Sequence, residues 1–169
     1  MPDMKITLLA AAALVAVPTL AVAQTTAAPQ FVKMAGASDK YEIDSSNLVM
    51  TSTQDPKVRQ FAQQMISDHT NSTAQIKAAA ASDRVPVGAP MLNAMQRSNI
   101  AKLRAAKGAA RDKMYWQQQA TSHQMALQLH QGYASAGDKP ALKAAAGQIV
   151  PVVQSHVDML KSDGAMAAM

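Results

Sequence analysis

Four long segments of this chain repeat apolar residues at alternating intervals of three and four, the spacing of a helix that packs against other helices. Alanine, glutamine, methionine, leucine and lysine dominate these segments, and all are good helix formers. No run of β-branched residues shows the two-residue alternation of a strand. The pattern therefore predicts an all-α protein, an antiparallel four-helix bundle.

Breaks in the pattern divide the chain into helices. We expect long helices over about 31–51, 56–82 and 109–135, a last one opening near Pro140, and an extra short helix over 89–107 between the second and third long helices. Asp55 and Asp138 each precede a proline and are predicted as N-caps. Gly108 is expected to end or kink the short helix, and Pro151 to bend the last one.

The chain ends differ in composition from the bundle. Residues 1–23 resemble a signal peptide: Lys5 precedes the apolar run 6–20, and Ala-Val-Ala at 21–23 forms a cleavage pattern. The alternative is a membrane anchor, but the apolar run is shorter than the ~20 residues that span a bilayer. We expect a disordered leader over 24–30, one bundle domain over 31–163, a flexible tail over 164–169, and no integral membrane segment after cleavage.

Composition excludes several function classes. The chain has no cysteine, which rules out disulfides, thiolate metal sites and thiol nucleophiles. Its net charge is +5, and basic residues gather between 97 and 113, but no aromatic residues interleave with them as nucleic-acid binding would require. We interpret this stretch as a solvated helix face and loop, the alternative being association with the anionic surface of the envelope. No hydrolase or phosphate-loop signature is found.

Polar residues occupy four positions where the apolar repeat predicts the core. The only glutamate of the chain, Glu42, lies on the first predicted helix, and His69, His123 and His156 lie on the other three long helices. Imidazole and carboxylate together suit one Zn, Fe or Cu ion, so we predict a metal site of these four residues. The alternative is a buried, hydrogen-bonded polar network without an ion. Asp68 and Asp158 are expected to face solvent.

Two stretches resemble a known family: Phe61–Thr70, with the pattern F-A-Q-x-M-I-x-D-H-T, and Leu142–His156, with the pattern L-x-x-A…P…H. The chain is similar over nearly all its mature length to a widespread bacterial family of unknown function, often described as exported or outer-membrane and placed in the ferritin-like superfamily. The resemblance implies a ferritin-like fold and export, and no activity. Ile66 and Val153 stand where di-iron proteins place the glutamate of Glu-x-x-His, which argues against a di-iron centre.

These observations favour a non-enzymatic exported bundle that binds one metal ion in its core and serves envelope homeostasis or stress tolerance. Two alternatives stay open. One is a copper carrier that uses methionine and histidine, since Met91 and Met95 lie one turn apart and Met166 and Met169 lie in the tail; most methionines, however, fall on predicted core positions. The other is a redox enzyme of ferritin-like descent. No catalytic residue is predicted.

Overall fold

The computed structural model describes residues 26–162, and within them the chain forms five α-helices and no strand. The predicted signal peptide, the first residues of the leader and the predicted tail lie outside the described residues. The helices, in chain order, are α1 Ala28–Met50, α2 Pro56–Ser82, α3 Ala94–Ala105, α4 Gly108–Ala136 and α5 Pro140–Ser162. The short helix α3 thus lies between the second and third long helices, as predicted.

Each of the four long helices packs against two others. Helix α1 contacts α2 and α4, and α5 contacts the same two helices, while the short helix α3 lies against α1 and α4. The apolar residues between them form two clusters, one around Phe31 and Leu142 and the other around Met65 and Leu160. Each long helix therefore presents one side to a shared interior, which is where side chains from all four can meet.

The apolar repeat predicts core positions at Ser38 on α1, at Val152 on α5 and, on α2, at Val58, Ala62, Met65, His69, Ser72 and Ile76. All of those on α2 are buried. On α1 the structure buries Asp39, whereas the predicted Ser38 is only partly buried. On α5 it buries Val153 and leaves the predicted Val152 exposed. In an α-helix of 3.6 residues per turn, the positions three and four residues after a buried residue lie on either side of the same face, so the apolar spacing alone does not decide which of the two is buried.

Two helices begin at residues other than those that the apolar pattern predicts. Helix α1 begins at Ala28, inside the predicted leader, because Ala28 is fully buried and Pro29 fits the first turn. Helix α3 begins only at Ala94, because Asn93 and Gln96 form a reciprocal capping box. The apolar repeat predicts that Met91 and Met95 face the core, but both are exposed, Met91 in the segment before α3 and Met95 in its first turn.

Three further junctions bear on the predictions. Asp55 accepts a hydrogen bond from the backbone N–H of Lys57 and caps α2 as predicted. Asp138 does not cap α5: its carboxylate accepts from Tyr133, and the first N–H groups of α5 donate instead to Asp83 at the end of α2. Gly108 opens α4, with a positive φ of 52°, and does not lie within α3.

Arg111 corrects the prediction that the basic stretch is wholly solvated. Its side chain is buried and its guanidinium donates to the carbonyl of Ala106, to the hydroxyls of Thr51 and Ser52 and, at longer distance, to the carbonyls of Leu48 and Arg104. A cation at the C-terminus of α1 also opposes the negative end of the helix dipole. Within residues 26–162, no helix combines the length and hydropathy of a membrane span.

Candidate metal centre

Three buried histidines from three helices converge in the interior. His69 of α2, His123 of α4 and His156 of α5 each offer one ring nitrogen, and these three nitrogens lie within 4.8 Å of one another. All three side chains are almost completely buried, and the ring of Phe61 packs edge-on against those of His123 and His156. The arrangement is therefore a compact, buried set of metal-ligating atoms.

The ring of His69 is oriented by a carboxylate. Its Nδ1 lies 2.9 Å from Oδ1 of Asp39, and the other oxygen of that carboxylate accepts a hydrogen bond from Thr73 at 2.9 Å. Because the carboxylate accepts, the proton of His69 is on Nδ1, and the lone pair of Nε2 faces Nε2 of His123 at 3.5 Å.

His123 and His156 are oriented in the same way. Nδ1 of His123 lies 2.9 Å from the backbone oxygen of Gln119, one turn earlier on α4, which leaves its Nε2 to face His69. Nε2 of His156 lies 2.9 Å from Oδ2 of Asp68, and its Nδ1 is buried with no hydrogen-bond partner in the protein. In each ring one nitrogen is held by an oxygen acceptor and the other is directed inward, the pattern that outer partners impose on metal-binding histidines.

The distance between two of the inward nitrogens, those of His69 and His123, fits an ion bound to both. Two nitrogens bound to one tetrahedral ion at ~2.0–2.1 Å lie roughly 3.3–3.4 Å apart. The separation of the two Nε2 atoms, 3.5 Å, is close to this value. Two acceptor lone pairs that face each other repel unless a cation lies between them, so the geometry calls for either a metal ion or a shared proton.

The protonation tendencies of the histidines favour the shared proton in the absence of an ion. Burial disfavours the charged form of His69, but the hydrogen bond with Asp39 and the nearby carboxylates of Glu42 and Asp68 outweigh it and raise its pKa. Burial and the charge on His69 lower the pKa of His123 to about 3. Burial, together with the charge of His123, lowers the pKa of His156 to about 4. A proton on His69 can therefore be donated to a neutral His123.

Glu42, the fourth predicted ligand, lies beside the three histidines but outside the group of converging atoms. Its nearest oxygen is 4.0 Å from Nδ1 of His123, the ring nitrogen that faces away from His69. The carboxyl group is completely buried, and neither oxygen has a hydrogen-bond partner in the protein. Burial raises its pKa, and the charges of His69 and His156 offset only part of this effect.

Sequence analysis missed the residues that hold the rings. Asp39 is buried in contact with His69, and Asp68, expected to face solvent, bonds to His156 with its side chain 27% exposed. Asp158 is exposed, as expected. The helical spacing gave no signal for these contacts, because each joins residues of two different helices. The fourth histidine, His130, is buried against the edge of Phe31 and lies outside the group; burial lowers its pKa to about 4.

The donor set defines what the centre can do chemically. Three neutral imidazoles suit Zn, Cu, Ni and Fe ions, and no carboxylate bridges two positions as a di-iron centre requires. Val153, which stands at the glutamate position of a Glu-x-x-His motif, is buried as part of the apolar core. The donor set therefore suits a single ion.

A comparison with protein families matches the chain to one whose description assigns no activity. The profile of a family described as a domain of unknown function, DUF4142, matches residues 14–162. No curated protein matches the chain. Two similar solved structures are a DUF305 fragment from Deinococcus radiodurans (18% identity, TM-score 0.69, 80% of this chain and 93% of that one) and a putative secreted DUF305 protein from Streptomyces coelicolor (16%, 0.66, 79% and 90%).

A third solved structure with a similar fold is CopM in the Cu(II)-bound form. It shares 17% identity with this chain, with a TM-score of 0.69, and the alignment covers 82% of this chain and 96% of CopM. At these identities the likeness establishes the helical fold that the chains share.

Proposed function

Because this chain belongs to the DUF4142 family, whose description assigns no activity, we propose its function from the histidine centre: it binds one divalent transition-metal ion through His69, His123 and His156. The supporting observation is the orientation of the three rings. Each ring has one nitrogen held by an oxygen acceptor and the other directed towards its neighbours. The inward Nδ1 of His156 is buried without a hydrogen-bond partner, whereas a polar network without an ion would be expected to satisfy it.

The donor atoms set the order of preference among ions. For a site of neutral nitrogen ligands, affinity rises along the first-row divalent series to Cu(II) and falls again at Zn. We propose that Cu(II) binds most tightly and that Zn and Fe(II) bind more weakly to the same site. The copper-bound state of CopM, which has a similar fold, supports this choice.

Glu42 belongs to the proposed centre as the carboxylate that balances the charge of the ion. Three neutral imidazoles leave a divalent charge uncompensated in a buried site, which is costly. Glu42 is the fully buried carboxylate next to His123, and a bound cation would favour its ionised form. Direct coordination would require its oxygens to move, since Glu42 does not belong to the group of ligand atoms that lie within 4.8 Å of one another.

We further propose that the protein is an exported, non-enzymatic ferritin-like four-helix bundle that buffers or carries this ion in the bacterial envelope. The signal-peptide pattern of residues 1–23 and the secreted description of the Streptomyces coelicolor neighbour support export. The three ligands are almost completely buried, which leaves little room for a substrate beside the ion and favours binding over turnover. Envelope homeostasis or stress tolerance is the role that such a protein would serve.

Metal analysis of the protein tests this proposal. The mature chain, purified without chelators or a metal-binding tag, is titrated with Cu(II) and Zn(II), and bound metal is measured by mass spectrometry of the elements. We expect one equivalent in the wild type and its loss in His69→Ala or His123→Ala. His130→Ala is the matched control, a buried histidine of α4 outside the group, and should retain the ion.

Two results would contradict the proposal. One is a wild-type protein that binds no Cu(II) or Zn(II) at micromolar concentration, which would leave the histidines as a proton-sharing network. The other is an ion retained in the His69→Ala and His123→Ala variants, which would place it elsewhere. Circular dichroism of each variant, compared with the wild type, shows whether the helices remain formed.

A further inference from the structure

A cavity separate from the histidine centre lies between α1, α3 and α4. Its volume is about 630 Å³, and the segment before α3 forms part of its rim. Four methionines that the structure leaves exposed all line it, one each from α1, the segment before α3, α3 and α4: Met34, Met91, Met95 and Met125. None of the three metal-binding histidines lines this cavity.

The methionines make the lining apolar and adaptable. Unbranched thioether side chains change rotamer easily and are common at surfaces that bind flexible apolar ligands. Met91 is 72% exposed, and together with the other three methionines it presents apolar surface to solvent. Exposed apolar patches of this kind mark binding sites. The volume lies within the ~300–1,000 Å³ range of small-molecule sites.

The charges around the cavity select the class of ligand. The residues that line it include two cations, Lys33 and Arg97, and no aspartate or glutamate. The backbone oxygen of Leu92 accepts a hydrogen bond from Arg97, which holds this guanidinium beside the cavity. A positive rim without an acid opposes a metal cation, even a soft one that thioethers would suit, and attracts an anion.

The polar side chains at the base of the cavity already make hydrogen bonds within the protein. Tyr41 donates to the side-chain oxygen of Gln118, and the amide of Gln118 donates to the backbone oxygen of Asn99. Both side chains are buried, so they form a closed polar base that does not need a ligand to pair it. Recognition of a charged group therefore falls to the rim, and the interior contacts fall to the methionines.

From these observations we propose that the cavity binds a small amphipathic anion, such as a single-chain fatty carboxylate, with its chain among the methionines and its carboxylate between Lys33 and Arg97. This site is independent of the metal ion of the histidine centre. The combination of an apolar interior, a positive rim and the absence of acidic side chains supports it.

Calorimetric titration of the metal-free wild-type protein with monomeric dodecanoate tests the proposal. We expect saturable one-to-one binding, weakened at least tenfold in the double variant Lys33→Gln/Arg97→Gln and unchanged in Lys113→Gln, an exposed lysine of α4 away from the cavity. Met34→Leu/Met125→Leu should retain binding, since leucine keeps the lining apolar. Met125→Asp should abolish it by placing an acid beside the chain.

Three outcomes would overturn the proposal: no saturable binding of dodecanoate, equal binding of dodecyltrimethylammonium, or an Ag(I) complex that is lost in Met34→Leu/Met125→Leu. The last result would identify a soft-cation site instead. Because the titration uses protein stripped of metal, its outcome does not depend on whether the histidine centre binds an ion.

Discussion

At the scale of single residues, the outer partners of the histidines distinguish rings that the sequence alone would treat as equivalent. Asp39 and the neighbouring carboxylates raise the pKa of His69, whereas His123, which bonds to a backbone carbonyl, has its pKa lowered by burial and by the charge on His69. The same interior therefore contains one histidine that is readily protonated and one that stays neutral. Such a pair holds a proton that a metal ion must displace, so ion affinity should fall as pH falls.

Asp39→Asn tests the contribution of an outer partner. The amide cannot accept the Nδ1 proton of His69 with the strength of a carboxylate, so the ring loses its orientation and some basicity. Loss of such a partner typically costs about 10–100-fold in metal affinity. Competition with a chelator of known affinity measures this.

The matched control is Asp44→Asn, on the same helix. Asp44 pairs with Lys40 at the surface at 2.9 Å, and its loss should leave metal affinity unchanged. Equal affinities of the Asp39→Asn variant and the wild type would remove Asp39 from the centre.

Glu42→Gln separates the roles of a buried carboxyl group in the two states. Burial raises the pKa of Glu42, and the neutral amide resembles the protonated carboxyl in size and polarity. We expect the metal-free variant to melt at the wild-type temperature or above it. Its Cu(II) affinity should fall about tenfold or more, because the charge of the ion is no longer balanced.

Thermal melts with and without the ion measure both effects. A metal-free Glu42→Gln protein that melts well below the wild type would indicate that the ionised carboxylate stabilises the fold without an ion. Unchanged Cu(II) affinity would exclude Glu42 from the proposed centre.

At the scale of helices, the sequence could predict which segments are helical and which faces are buried, because the apolar repeat records both. It could place His69, His123 and His156 in one interior for the same reason. It could not place Asp39 there, because Ser38 and Asp39 lie three and four residues after the buried Ala35, on either side of the same face, and the apolar spacing does not decide between them. Contacts between different helices, such as that of Asp68 with His156, leave no mark in the spacing of either helix.

The start of α5 illustrates the same limit, and Asp83→Ala tests it. Asp83 accepts hydrogen bonds from the N–H groups of Ala141 and Leu142, at 3.2 and 2.8 Å, although it is 58 residues distant from the former. Removing an N-terminal cap typically costs about 0.5–2 kcal/mol. Denaturant unfolding of Asp83→Ala should show a loss in this range.

Asp138→Ala is the comparison, because the local pattern predicts Asp138 as the cap. In the structure its carboxylate accepts only from the hydroxyl of Tyr133, so its removal should cost less than that of Asp83. The opposite order would favour the cap that the sequence predicts.

A small cleft between α2 and α5 gives the histidine centre a route to solvent, and Asp68 lies in it. The cleft has a volume of about 120 Å³ and is lined by His69, His156 and Asp68, among others. A negative charge near the mouth attracts an incoming cation and speeds association. We expect Asp68→Asn to slow Cu(II) association several-fold in stopped-flow measurements at low ionic strength, with a smaller effect at high salt.

Asp158→Asn provides the control for Asp68. Asp158 lies on α5, two residues after His156. It is exposed, pairs with Lys161 at 3.1 Å and does not line the cleft. Equal association rates for Asp68→Asn and Asp158→Asn would indicate that the ion reaches the histidines by another route.

At the scale of the whole molecule, the buried histidines connect stability to pH. Burial lowers the pKa of His123 to about 3 and those of His130 and His156 to about 4, whereas an unfolded histidine has a pKa near ~6.5. Below about pH 6.5 the unfolded chain therefore binds up to three protons that the folded chain does not. Their contribution to stability is present above pH 6.5 and is lost as the pH falls towards the folded values.

Two groups act in the opposite direction. The raised pKa of His69 adds stability that is fully present below about pH 6.5 and is lost as the pH rises through its folded pKa. The raised pKa of Glu42 adds stability that is fully present below the pKa of an unfolded glutamate, and it offsets at most one of the three histidine protons on the acid side. The unfolded chain therefore binds more protons than the folded chain between the unfolded and the folded pKa values of the three histidines, and stability falls as the pH falls over that range.

We therefore predict that the metal-free protein loses stability steeply as the pH falls from about 6.5 to 4. Thermal melts in chelator at a series of pH values measure this. His130→Gln, which removes one of the three histidines without touching the proposed ligands, should make the acid limb of the profile shallower by about one proton. A melting temperature that stays constant or rises over this range would mean that the histidines are already protonated in the folded state. Such charged rings would repel the cation that their geometry otherwise fits.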